Sequence, residues 1–136
     1  MRFLLDTNTL IYVINRQARH AAVLDRFSRE PPENLCVSAI TLAELRYGIA
    51  KSKRSEANRR AFLQAVETLS IAPFDARAAE SYGLVRAELE ASGRPIGPLD
   101  MLIAAHALSL DLTLVSSNER EFARVRRLRV ENWIPA

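Results

Sequence analysis

Short apolar runs alternating with helical stretches are the feature that most limits how this chain can fold. Phe3-Leu4-Leu5, Leu35-Cys36-Val37 and Leu112-Thr113-Leu114-Val115 are almost wholly apolar and lack the in-out alternation of a half-exposed strand. Each is therefore expected to be a strand covered on both faces. Further short strands are expected at Leu69 to Pro73 and at Leu128-Arg129-Val130. Helices are expected from Thr9 to Asn15, Ala21 to Arg29, Ser38 (as N-cap) to about Lys51, Ser55 to Thr68, Asp75 (as N-cap) to Ser92-Gly93, Leu99 to Leu110 behind Pro98, and Asn118 to Ala123. Pro31-Pro32 breaks the chain between the second helix and the second strand. Strands and helices in this order imply an α/β fold with three layers, α/β/α, around a central, mainly parallel sheet of about five short strands. In open sheets of that kind, ligands bind outside the carboxyl ends of the strands.

The 136 residues suit a single domain, 1–136. With 49% hydrophobic residues the chain can bury a full core and is not disordered. No apolar run approaches the roughly 18 residues of a membrane span, and Met1-Arg2 leads into no signal-peptide pattern. The one cysteine, Cys36, excludes a disulfide framework and points to a reduced, cytoplasmic setting, with Cys36 as core filler. The charge of +3, from 19 basic and 16 acidic residues, is compatible with nucleic acid as a partner without demonstrating it.

Polar residues follow the expected strands. Asp6, Thr7 and Asn8 come after the first, Ser38 and then Glu44 after the second, and Ser116, Ser117 and Asn118 after the fourth. Each acid has an ordinary reading: Asp6 as a helix cap, Glu44 as a solvated carboxylate, Asp100 as a first-turn acid favoured by the helix dipole. Glu119 and Glu121 read the same way. Asp100, however, lies in a helix apolar nearly all round, where a charge needs a partner or a metal. Three acids from separate elements at strand carboxyl ends would suit magnesium, a hard cation that takes one or two carboxylates and keeps several waters. Such an ion can bind a phosphate oxygen and acidify an attacking water. There is no glycine-rich phosphate loop, no Gly-x-Ser-x-Gly and no Cys–His pairing. His20 and His106 are isolated, and His106 reads as a hydrogen-bonded core residue.

Leu5-Asp6-Thr7-Asn8, Ser38-Ala39-Ile40-Thr41-Leu42-Ala43-Glu44-Leu45-Arg46-Tyr47-Gly48, Ile96-Gly97-Pro98-Leu99-Asp100 through Leu108, Leu114-Val115-Ser116-Ser117-Asn118 with Glu121-Phe122, and the closing Val130-Glu131-Asn132-Trp133 together resemble the PIN domain, in particular the VapC toxins of prokaryotic toxin–antitoxin pairs. The resemblance implies a metal-dependent endoribonuclease using Mg2+, with Mn2+ as a substitute. It further implies a homodimer, held inactive by a VapB-like antitoxin in a hetero-oligomer. By motif position Asp6, Glu44 and Asp100 would be the core acids, with Asp6 and Asp100 the direct ligands. Thr7 or Asn8 and Ser116 would support them. The departure is Asn118, where many members carry an aspartate; Glu121 would then supply the further charge.

Two basic groups are candidates for phosphate contacts: Lys51, Lys53, Arg54, Arg59 and Arg60, and Arg120, Arg124, Arg126, Arg127 and Arg129. Arg94, just before Asp100, is the more pointed one. The apolar surplus in Leu10-Ile11-Tyr12-Val13-Ile14 fits core packing together with an antitoxin groove. Two other readings compete. A haloacid dehalogenase-type phosphatase would need an aspartate where Asn8 stands. A PIN-like scaffold would bind RNA or protein without cutting.

Overall fold

A computed structural model of the chain describes residues 1–15, 21–53 and 56–134. His20, Arg54 and Ser55 lie outside these residues. The elements run β1 (Phe3–Leu5), α1 (Thr7–Asn15), α2 (Ala21–Arg29), a short 3-10 turn (Pro32–Asn34), β2 (Leu35–Ser38), α3 (Ala39–Lys51), α4 (Glu56–Glu67), β3 (Ile71–Ala72), α5 (Ala76–Ala91), α6 (Pro98–Ser109), β4 (Thr113–Val115), α7 (Glu119–Phe122) and β5 (Val130–Glu131). The five strands form one sheet in the order β3-β2-β1-β4-β5, and every neighbouring pair is parallel. No helix among the described residues is long and apolar enough to cross a membrane.

The continuous apolar character of the strands follows from burial on both sides. Phe3, Leu5, Leu35, Val37 and Val115 point into one core, shared with Leu10 of α1, Leu45 and Ile49 of α3, Val66 of α4 and Trp133. Leu4, Cys36 and Leu114 point the other way, against Val85 and Leu89 of α5, Ile103, Ala104 and Ala107 of α6, and Phe122 of α7. The strand period of two thus builds the three layers directly. Each fully buried leucine or phenylalanine contributes about 1.5–3 kcal/mol relative to exposure. Among the described side chains of α4, Val66 is buried, while Phe62 and, just beyond the helix, Leu69 pack against the core's edge.

Local signals set several boundaries. Ser38 caps α3 by accepting from the amide of Ile40 at 3.0 Å, and Asp75 caps α5 by accepting from Ala78 at 3.0 Å. Gly93, at φ +68, closes α5: its amide donates to Glu90 O and the amide of Arg94 donates to Leu89 O, the Schellman pattern. The first helix begins at Thr7, two residues earlier than the expected Thr9, because Asp6 caps it. β1 coincides with its apolar run and β2 extends one residue past its own, while β4 leaves out Leu112 and β5 begins only at Val130 and runs on to Glu131. In the third run the strand is confined to Ile71–Ala72, with the Ser70 carbonyl also accepting from the amide of Val37.

Candidate active site

Strand order turns at β1 and β4. The chain passes from β1 outward to β2 and β3, then returns to place β4 on the other side of β1. The crevice for ligands in such sheets lies at that switch, beyond the carboxyl ends of the strands. Leu5 and Val115 are paired in register, so the next residues, Asp6 and Ser116, emerge side by side.

Asp6 is only 4% exposed. Its Oδ1 accepts from the amide of Thr9 at 2.9 Å, and its Oδ2 accepts from the Ser116 hydroxyl. Burial pushes its carboxyl above the usual range, opposed by the hydrogen bonds from Ser116 and Thr9. The capping and site readings of Asp6 are therefore compatible: one oxygen caps α1 while the carboxylate stands at the switch point.

Glu44 lies one turn beyond Thr41 on α3. The Thr7 hydroxyl donates to Glu44 Oε1 at 2.7 Å and stands 3.3 Å from the hydroxyl of Thr41. Asp100 sits in the first turn of α6, behind Gly97 and Pro98. A methyl group at Gly97 would stand 3.4 Å from Asp100 Oδ2, so the glycine leaves room beside that carboxylate. Asp100 is raised to about 6, first by burial, then by the negative charges of Glu121, Asp6 and Glu44. Asp100 is thus near enough to Glu121, Asp6 and Glu44 to feel the charge of each.

Asn118 donates from Nδ2 to Glu121 Oε2, and its amide donates to Ser116 Oγ at 2.9 Å. A continuous set of bonds thus runs from Asp6 through Ser116 and Asn118 to Glu121. Asn8 is exposed and makes no side-chain hydrogen bond among the described residues. Arg94 is exposed and likewise unpaired there. Arg124 instead grips the loop before α6, donating to Pro95 O at 2.9 Å. Glu119 is exposed and stands apart from this cluster, accepting from Asn132 at 3.4 Å. Of the other basic residues, Arg60 pairs with Glu56 and Arg129 with Asp111.

Thr41 and Gly97 belong to this neighbourhood without being among the expected site residues, and Arg124, expected as a phosphate contact, instead holds the loop before α6. Thr41 was findable, since it lies three residues before Glu44 on the same helical face. The other two depend on loop geometry that carries no period.

The donors fit a hard divalent cation. They are all oxygens, no cysteine or histidine joins them, and none of the four acids takes part in an ion pair among the described residues. A buried carboxylate without a positive partner is costly. Among the described residues no three acidic, histidine or cysteine side chains are drawn to closed metal-ligand spacing. Magnesium does not require that, because it keeps several of its waters. Beside Glu44, a cleft of about 400 Å³ opens between α1, α3 and α4, walled by Ile11, Leu45, Ile49 and Phe62 and rimmed by Lys51, Lys53 and Arg59.

Comparison with known proteins agrees with this architecture. The PIN domain family matches residues 3–128. The tRNA(fMet)-specific endonuclease VapC of Shigella flexneri is 42% identical over 133 residues, covering 98% of each chain. Ribonuclease VapC2 of Haemophilus influenzae is 44% identical over 134 residues, covering 98% of this chain and 99% of its own. Among solved structures, DNA-bound VapBC from Salmonella typhimurium superposes with a TM-score of 0.88 at 40% identity, covering 98% of both chains. With its fold, its motif order and its full-length kinship in agreement, this chain belongs to the PIN domain family and, within it, to the VapC group.

Proposed function

We propose that the chain is an endoribonuclease toxin that hydrolyses RNA phosphodiester bonds with Mg2+, or Mn2+ in its place, held by Asp6, Asp100 and Glu44. The observation that supports this most is that Asp6, Glu44, Asp100 and Glu121, one of them buried, have no cationic partner among the described residues. Kinship with VapC ribonucleases supports RNA as the substrate. When bound, the cation would polarise a phosphate oxygen and lower the pKa of a water.

The protein's own contribution is positioning. Asp6 cannot turn, because each oxygen is already committed to one donor, yet each keeps a second lone pair for a ligand. Thr7 directs Glu44 by holding Oε1 and leaves Oε2 free. Asp100, raised to about 6, would be one of the residues to hold the cation, and its proton would be released on binding, which would link cation uptake to pH. Glu121, steadied by Asn118, adds negative charge at the rim. Arg94 supplies a phosphate contact that positions RNA without reading its sequence.

A VapB-like antitoxin is the proposed protein partner, in keeping with the VapBC pairing named for the Salmonella structure. The apolar cleft beside Glu44 is its proposed seat. Leu10 is itself core, and Ile11, Val13 and Ile14 pack against the core's edge, so packing accounts for most of the apolar surplus of α1. A homodimer within a toxin–antitoxin hetero-oligomer completes the proposal.

The test uses purified protein free of contaminating nuclease. Asp6→Asn and Asp100→Asn should remove Mg2+-dependent RNA cleavage while circular dichroism stays that of the folded protein. Calorimetry should show Mg2+ binding that depends on Asp6. Retained cleavage in either variant would overturn the reading, and absence of Mg2+ binding in the parent protein would favour a non-cutting scaffold.

A further inference from the structure

His106 is fully buried in α6, among Ile103, Ala104, Ala105 and Ala107. Its Nδ1 lies 2.8 Å from Ser38 Oγ, and its Nε2 makes no hydrogen bond of good geometry. The ring meets Phe74 edge-on, with centroids 5.2 Å apart. Burial lowers its pKa, while Asp75 and the Pro73 carbonyl act in the opposite sense. The ring is thus a neutral polar group inside an apolar layer.

Ser38 Oγ already accepts from the amide of Ile40 as the cap of α3. The same hydroxyl, with one proton and a second lone pair still available, shares a hydrogen bond with His106 Nδ1, so the cap of α3 is also tied to α6. Ser38 and His106 lie in different elements, and each stands six residues from an acid of the site: Ser38 from Glu44, and His106 from Asp100. Six residues are about 9 Å of helix. The bond between the two therefore fixes α3 against α6 about 9 Å along each helix from its acid.

Stability alone gives little reason for this pair, since replacing both partners of a buried hydrogen bond by apolar groups of similar shape is often near neutral. A buried polar contact between two helices does, however, select one packing over neighbouring ones. We infer that His106 is a positioning residue: by holding Ser38 it sets the placement of Glu44 relative to Asp100, and so the site's affinity for a divalent cation. This rests on the reading of the acidic site given above.

The test compares His106→Leu, which keeps bulk but cannot hydrogen-bond to Ser38, with His106→Asn, whose amide reaches the place of Nδ1. Mg2+ affinity is measured by calorimetry at a temperature where circular dichroism shows each variant folded. Leu should weaken Mg2+ binding about tenfold and Asn by no more than about threefold. In a Ser38→Ala background, adding His106→Leu should cost at most about twofold more. Hydrogen exchange at the amides of Ile40 to Glu44, in metal-free protein, should quicken in the Leu variant and stay near the parent rate in the Asn variant. Parent-like Mg2+ affinity in the Leu variant, equal loss in both variants, or losses that multiply with Ser38→Ala would overturn the inference. Unchanged exchange in the Leu variant would do the same. Should the parent protein bind no Mg2+, the proposed function falls, and the exchange comparison alone decides whether His106 positions α3.

Discussion

Ser116 donates a hydrogen bond to Asp6 Oδ2 across 110 positions of sequence. The contact is a consequence of register: Leu5 and Val115 are paired on adjacent parallel strands, so the residues after them must meet. Ser116 Oγ also accepts from the amide of Asn118, so one hydroxyl orients the buried acid and the turn that carries Asn118. Ser116→Ala should therefore destabilise the protein by about 1–3 kcal/mol, read by urea unfolding. It should also move the Asp6 carboxyl further upward, since Ser116 is the largest influence opposing burial there. A carboxyl titration by NMR that left Asp6 unmoved would contradict this account.

Thr7 fixes Glu44 through one hydrogen bond. Thr7→Val keeps the shape and removes the donor, and is expected to lower RNA cleavage about tenfold. Thr7→Ser keeps the donor and should retain most of the activity. Equal loss in both variants would show that Thr7 matters for packing rather than for holding the carboxylate.

Asp100 makes stability depend on pH in the sense opposite to a salt-bridged carboxylate. Its folded value is about 6 against an ordinary 3.8, first through burial and then through Glu121, Asp6 and Glu44. Between those values the folded protein keeps a proton that the unfolded chain has lost. Its stabilising contribution is thus complete below pH 3.8 and is lost as pH rises to about 6. Because the group is half-buried, solvent screening reduces the loss to about 1–2 kcal/mol. In EDTA, Asp100→Asn should be more stable than the parent by that amount at pH 7, with the difference vanishing below pH 4. Denaturant titrations giving the same difference at both pH values would rule this out.

Cation uptake at this site should release protons. At pH 5.5, calorimetry in buffers of different ionisation enthalpy should report release of a fraction of a proton per Mg2+ bound, falling towards zero at pH 8. Asp100→Asn should abolish most of the release, provided that it still binds Mg2+ through Asp6. Release independent of pH would mean that Asp100 is not the titrating group.

Much of this protein is determined locally. The doubly apolar runs Phe3-Leu4-Leu5 and Leu35-Cys36-Val37 can be satisfied only between two layers of helices, because successive side chains point to opposite faces. Ser38, Asp75 and Gly93 set helix ends through bonds to residues two to five positions away, so their roles are readable from order alone. The positions of the acids after the strands were legible for the same reason. What sequence order does not contain is distance between elements. Asp6 with Ser116, Thr7 with Glu44 and Ser38 with His106 each required a neighbour, and these pairs are 37 or more positions apart. Only packing decided that Asn8 faces solvent while Thr7 turns to Glu44, and that Arg124 rather than Arg94 holds the loop before Asp100. The period of a strand or helix gives the face on which a residue lies. Register across the sheet and the crossing of α3 with α6 determine what that face meets, and these arise from the whole core at once.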